Sequence, residues 1–311
     1  MEMINHTVVT EFILLGFSND PGMQILHGTL FLVAYLAALT GNGLIIFLIT
    51  CDPRFHTPMY FFLKNLSFVD LCYISVTVPK FVLNSLMHRN SISFLGCVLQ
   101  VFCFVLFACT ELAMLTVMSY DRYVAICKPL HYEVIMSRRA CEHMVVASYI
   151  SGVISGAMHT AATFSMTINS NRIHQFFCDI PKILILDSKL NLGEMGIIAL
   201  IFSATLVCFA CIIYSYVHIF SIVHRTSSSE GRSKALSTCT PHLIVVTLFI
   251  LTASLDYLKP PSNSRSVIDL ILSVFYTVLP PTLNPIIYSL RNKEIKAALG
   301  KVLAMQVFKL N

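Results

Sequence analysis

Apolar residues in this chain gather into long runs instead of alternating with polar ones. Seven runs stand out, at about 23–50, 57–84, 95–120, 143–168, 195–223, 237–258 and 267–290. Each is close to or beyond the ~20 mostly apolar residues that a helix needs to cross a bilayer. Inside hydrocarbon every backbone N–H and C=O must be paired within the segment, so each run is expected to be a helix. The first, fourth and fifth runs carry no Asp, Glu, Lys or Arg. Pro79, Pro280 and Pro285 fall within runs and are expected to bend their helices without ending them. The pattern predicts an all-α membrane protein, a seven-transmembrane helix bundle over 23–290. A tail of residues 1–22 precedes it, and residues 291–311 change character. There Ile295, Leu299, Val302 and Leu303 share a face, with Lys293, Lys296 and Lys301 elsewhere on the turn, as in a short amphipathic eighth helix lying on the membrane surface. No cysteine follows Cys239, so palmitoylation does not anchor it.

Composition agrees. Only 12% of residues are charged and 56% are hydrophobic, with a mean hydropathy of +0.75. A soluble domain carries roughly 25% charged residues. The net charge of +5 is spread between apolar runs and forms no dense patch, which excludes nucleic acid as the expected partner. Its distribution orients the chain: with the N-terminus outside, the inner side collects fourteen Lys and Arg and the outer side seven. The first twenty residues hold Glu2, Glu11 and Asp20 and no basic residue, so they lack the n-region of a cleavable signal peptide. The first run is expected to serve as the insertion signal. Asn5-His6-Thr7 is a glycosylation sequon, useful only on the outer side. On this topology Cys97 and Cys178 are the two of eleven cysteines at or beyond the outer surface. They are expected to pair, tying the long outer loop to the third helix.

Ionisable groups inside a bilayer are functional candidates by default. Asp70 and Glu111 lie midway along the second and third runs, with Asn42 and Asn284 at comparable depth. Four oxygen-bearing side chains at one level suit a hydrated sodium ion; the alternative is a hydrogen-bonded network that only joins helices. At the inner end of the third run, Asp121-Arg122-Tyr123 places a long cationic side chain where it can exchange a neighbouring carboxylate for an incoming protein. Asn284-Pro285-Ile286-Ile287-Tyr288 adds a hinge in the seventh run. Pro285 removes a backbone hydrogen bond there, and Asn284 is expected to satisfy the freed carbonyl. Tyr216 and Tyr288 are then placed to approach each other across the bundle in one of two states.

These residues resemble a known family. His56-Thr57-Pro58-Met59-Tyr60-Phe61-Phe62-Leu63 with Asn65-Leu66-Ser67, and Met118-Ser119-Tyr120-Asp121-Arg122-Tyr123-Val124-Ala125-Ile126-Cys127 with Lys128-Pro129-Leu130-His131-Tyr132, are similar to odorant-receptor motifs. So are Ser215-Tyr216, Lys234-Ala235-Leu236-Ser237-Thr238-Cys239 with His242, and Pro280 to Glu294. The chain therefore resembles the odorant receptors of the rhodopsin-like (class A) G-protein-coupled kind. The resemblance implies a plasma-membrane receptor, no enzyme, that binds small volatile ligands, works with trafficking chaperones, and activates a stimulatory olfactory-type G protein to raise cyclic AMP. It implies the Cys97–Cys178 disulfide, a switch at Asp121, Arg122 and Tyr123, and a sodium-like site at Asp70 and Glu111; no other cofactor is expected. Matching positions make Phe104, Val105, Ala108, Cys109, His159, Ile201, Thr205, Ala253, Tyr257, Val274 and Thr277 the ligand-lining set. Their mainly apolar character suits a small neutral hydrophobic ligand.

The chain also departs from the family. Two further outer-loop cysteines are missing near Ile168 or Asn169 and at Ser188, and Ile250-Leu251 replace an aromatic residue and glycine. Phe104 stands where amine receptors place a carboxylate, and the seventh run has no lysine for a retinal Schiff base. The alternatives are a class A receptor outside olfaction or a transporter, which would show related halves with broken helices.

Overall fold

The computed structural model describes residues 9–165, 168, 170–184, 186, 192–225, 229–257, 267–291, 294–298 and 300. Within the helices, the side chains of 192–195, 198, 201, 229, 230, 234, 238, 250, 252–257, 267, 290 and 291 are also outside the described set.

Local signals start the helices. Asp20 accepts a hydrogen bond from the Met23 N–H at 2.9 Å and Pro21 occupies the first turn of α1 (Pro21–Cys51). Pro58 opens α2 (Pro58–Met87), which ends where His88 takes the left-handed conformation at φ 53°. Ser93 caps α3 (Phe94–Cys127) through the Gly96 N–H at 3.1 Å. A single turn, α4 (Tyr132–Ile135), leads into α5 (Arg138–Phe164). The short α6 (Ile180–Leu184) precedes α7 (Leu192–Arg225) and α8 (Ser229–Tyr257). The seventh run is two helices, α9 (Val267–Thr277) and α10 (Leu279–Arg291), bent by 46°.

Helices α1, α2, α3, α5 and α7 are long and apolar enough to span a membrane, and α9 with α10 forms a broken span. The seventh member, α8, runs from Ala235 to Leu255 without an Asp, Glu, Lys or Arg. Its charged residues at 230, 232 and 234 lie in about two extra turns before the expected start at 237. The other boundaries move similarly. α3 continues past 120 to carry Asp121-Arg122-Tyr123 on its last turns, and α5 begins at Arg138, before 143, and ends at Phe164. Charged residues at helix ends interrupt the apolar pattern but not the backbone ladder. Leu30, Val33, Leu95, Ile213 and Val217 are all more than half exposed, giving the bundle an apolar exterior suited to lipid.

A three-stranded sheet covers one end. β1 (Glu11–Leu14) lies between β2 (Ser91–Ser93), antiparallel, and β3 (Arg172–Ile173), parallel. Part of the expected N-terminal tail is thus the central strand of a cap, with Phe12 and Leu14 buried. Phe17 continues inward, packing with Phe31, Phe81 and Phe176. Beyond α10, residues 294–298 are helical, with Ile295 and Ala298 buried and Tyr60 donating to Glu294 at 2.6 Å. The remainder of the expected eighth helix, including Leu299, Val302 and Leu303, lies outside the described side chains.

Candidate functional site

The buried side chains form two apolar clusters separated by a polar layer. In α1 the order is Ala38, Asn42, Ile45; in α2, Tyr73, Asp70, Leu66; in α3, Val105, Glu111, Met114. The first of each belongs to the cluster at the sheet end and the last to the cluster at the far end. Asn42, Asp70, Glu111 and Asn284 are each 2% exposed or less. Asn284 Nδ2 donates to Asp70 Oδ1 and Oδ2 at 3.1 and 3.0 Å and to Glu111 Oε1 at 3.5 Å. Three of the four residues singled out by depth therefore meet directly. Glu111 Oε2 and Asn42 Oδ1 have no hydrogen-bond partner among the described residues. Carboxylate and amide oxygens are the donors a hard cation takes. No group of three or more His, Cys, Asp or Glu suited to a metal occurs among the described residues, so such an ion would need the two asparagines as well.

Asn42 does what Asn284 was expected to do. Pro285 has no N–H for the Pro281 carbonyl, and Asn42 Nδ2 donates to that oxygen at 2.8 Å. The approach depends on Gly41, where an added Cβ would sit 2.9 Å from Pro285 Cβ and Cγ. Pro280 similarly leaves the Tyr276 carbonyl without its helical donor, and the Tyr73 hydroxyl donates to it at 3.2 Å. The break between α9 and α10 is thus made by Pro280-Pro281 and stabilised from α1 and α2.

At the sheet end, Cys97 and Cys178 form the expected disulfide, both buried. The chain from Gln175 to Ile180 does not skim the surface: every residue in it is buried. The Cys178 N–H donates to Gln100 Oε1 at 2.9 Å, and Gln175 Nε2 donates to Ser273 Oγ. Lys182 Nζ lies 2.6 Å from Asp269 Oδ2, with the two side chains 10% and 5% exposed. These bonds to α3 and α9 involve residues the motif reading passed over, because each is unremarkable until the loop folds inward. Phe177 packs against Phe104 at 5.4 Å and Tyr276 at 6.1 Å between ring centroids. Of the expected lining set, Phe104, Val105, Ala108, Cys109 and Val274 belong to this cluster. Thr277 is buried and donates to the Ser273 carbonyl at 2.6 Å. His159 and Thr205 are part-buried on α5 and α7; the side chains of Ile201, Ala253 and Tyr257, and Asn5, lie outside the described residues. Ile168, at a missing-cysteine position, packs against the cluster instead.

At the far end, Asp121 and Arg122 are 2% and 7% exposed but form no ion pair with each other among the described residues. Asp121 Oδ1 accepts from the Tyr132 hydroxyl of α4 at 2.8 Å. Burial, and then the Asp121 carboxyl, push the Tyr132 phenol well above its usual pKa, so it keeps the proton it donates. Arg122 is close enough to Tyr216, Cys239, His242 and Tyr288 to act on them electrostatically. Tyr216 does not bond to Tyr288. Its hydroxyl meets His242 Nδ1 at 2.7 Å, and His242 Nε2 meets the Leu115 carbonyl at 2.9 Å, linking α7, α8 and α3. Tyr123 turns outward, stacking with Tyr120 and contacting Tyr214 and His218. Just beyond, Leu130 and Val134 are 94% and 79% exposed.

The bundle resembles squid rhodopsin, with a TM-score of 0.71 at 16% identity over 93% of this chain and 87% of that one. A family model described as "Olfactory receptor" matches residues 31–306. Among curated proteins, Olfactory receptor 14L1 of Homo sapiens is 57% identical over 96% of this chain and 92% of its own length. Olfactory receptor 14A16 of Homo sapiens is 57% identical over 97% and 98%, and Olfactory receptor 14J1 of Homo sapiens 54% over 98% and 95%. With these matches running nearly end to end over a rhodopsin-like bundle, the chain belongs to the olfactory receptor family: multi-pass membrane receptors, not enzymes, that take a ligand and a G protein as partners.

Proposed function

We propose that this receptor binds small, neutral, mainly hydrophobic volatile ligands in the sheet-end half of the bundle and activates a stimulatory, olfactory-type G protein, raising cyclic AMP. It does so at the plasma membrane with the sheet outside. The carrying observation is the buried loop around Cys178: Phe177 rests on Phe104 and Tyr276, so ligand-facing helices and loop share one apolar cluster. An apolar ligand replacing these contacts would bias α3 and α9 relative to each other. The polar layer lies between that cluster and Arg122. The excess of Lys and Arg at the far end supports the orientation.

At the far end, Asp121, Arg122 and Tyr216 carry the switch, with Asn284, Pro285 and Tyr288 as the hinge. Tyr123 supports it from the outward face. The exposed Leu130 next to them is an apolar contact for the G protein, since a fully exposed leucine at a receptor's signalling end suits an interface core. Asp70, Glu111, Asn42 and Asn284 would hold a sodium ion, which would supply positive charge between two buried carboxyl groups. The same residues also bridge α1, α2, α3 and α10 without it.

The test is ligand-dependent cyclic AMP in cells supplied with an olfactory G protein and receptor-trafficking chaperones. A volatile panel is screened while surface expression is monitored. A response that Arg122→Ala abolishes at normal surface level supports the proposal. A response that Arg122→Ala leaves unchanged refutes the switch. Sodium is tested by titrating sodium against choline at constant ionic strength; basal signalling that changes in the wild type but not in Glu111→Gln supports the ion.

A further inference from the structure

The far end of the bundle carries an outward-facing cluster of which the switch uses only Tyr123 and the ligand cavity nothing. On α7, Tyr214, His218 and Arg225 are spaced i, i+4 and i+11, which puts them on one helical face. All three are exposed, Tyr214 by 57%. The rings of Tyr214 and His218 lie 4.4 Å apart. Across the groove, Tyr123 of α3 meets them at 6.0 and 5.9 Å, and Tyr120 stacks on Tyr123 at 6.2 Å. Lys128, at the end of α3, holds its ammonium 5.6 Å from the Tyr123 ring centre. Neither Lys128 nor Arg225 has an ion-pair partner among the described residues. Asp121, the carboxylate nearest in sequence to this surface, is buried and accepts a hydrogen bond from Tyr132.

The order along the membrane normal is informative. Arg225 lies at the helix end, about 10 Å beyond His218 at 1.5 Å per residue, and Lys128 directly follows the last residue of α3. Tyrosine and imidazole rings suit the glycerol zone, where one edge is apolar and the other wet. Cations at the helix ends suit phosphate oxygens. We propose that the groove between α3 and α7 is a docking site for the phosphate-bearing headgroup of an anionic lipid, held by Lys128 and Arg225 against the platform of Tyr120, Tyr123, Tyr214 and His218. Because Tyr123 adjoins Arg122, lipid occupancy steadies the end of α3 that carries the switch.

The test uses the full-length receptor in phosphatidylcholine nanodiscs with and without phosphatidylserine, with lipid retained on the receptor measured by native mass spectrometry. Both leaflets carry the lipid, so the outcome is independent of the proposed orientation and of any G protein. The wild type is expected to retain phosphatidylserine over phosphatidylcholine. Lys128→Gln with Arg225→Gln is expected to lose this by tenfold or more, each interfacial cation contributing roughly fivefold. Lys128→Arg with Arg225→Lys is expected to keep it, which separates loss of charge from misfolding, as does an unchanged thermal midpoint. Equal retention in the Gln pair overturns the site. So does equal loss in Arg138→Gln with Arg139→Gln, which would mean diffuse attraction. Displacement by inorganic phosphate would reveal a free-anion site instead. Retained lipid with lost G-protein activation in the Gln pair would assign the two cations to the protein partner.

Discussion

Lys182 and Asp269 show what a single residue means once it is buried. In sequence they are ordinary charges 87 positions apart; folded, they form an ion pair 2.6 Å long with side chains at most 10% exposed. Removing one partner leaves the other charged and buried, so Asp269→Ala is expected to destabilise the purified receptor by roughly 3 kcal/mol. Lys182→Met with Asp269→Leu is expected to recover most of that loss in the same thermal melt. Tyr132 is a second case. Its hydroxyl holds Asp121, leaving Arg122 among Tyr216, His242 and Tyr288. Tyr132→Phe frees Asp121 to pair with Arg122, and basal cyclic AMP is expected to fall by about tenfold, the worth of one good hydrogen bond. An unchanged basal level at equal surface expression would remove Tyr132 from the switch. Motif spacing put Asp121 and Arg122 at the inner end of the third run and set Tyr216 to approach Tyr288. It did not indicate which partner each takes, because a hydrogen bond depends on side-chain direction across elements that are far apart in sequence.

At the scale of elements, the broken α9–α10 span follows from chemistry visible in the chain, but its repair does not. Proline must leave a carbonyl without its donor; which neighbour supplies one depends on how closely helices approach. Gly41 lets α1 reach Pro285, so Asn42 serves the Pro281 carbonyl and Asn284 is left to Asp70 and Glu111. Asn42→Leu is expected to cost about 1–3 kcal/mol, the penalty of an unsatisfied buried acceptor. In a Pro285→Ala background the helix regains its own donor, and the same change is expected to cost markedly less. A thermal-melt cycle showing equal costs in both backgrounds would refute the repair. The close seam between α3 and α5 has a related origin, since a Cβ at Gly152 would meet the Leu106 carbonyl oxygen at 2.5 Å.

For the whole molecule, the sheet, the buried loop and the disulfide make one cap tied to α3 and α9. Cys97 and Cys178 close a loop of 81 residues, and their loss typically costs roughly 2–5 kcal/mol. Cys97→Ser is expected to prevent surface delivery; normal surface staining would show that β1 and the ion pair hold the cap alone. The sequence by itself determined the seven-helix membrane class, the disulfide and the polar residues at mid-depth. These depend on length, hydropathy and periodicity, which are properties of contiguous residues. Only the tertiary structure decided that residues 11–14 form the central strand of a cap and that the loop from Gln175 to Ile180 fills the bundle. It alone decided that Tyr123 faces outward while Arg122 is buried among the helices. Those outcomes depend on which distant groups can satisfy one another's hydrogen bonds and charges in a space without water, and no local pattern encodes that.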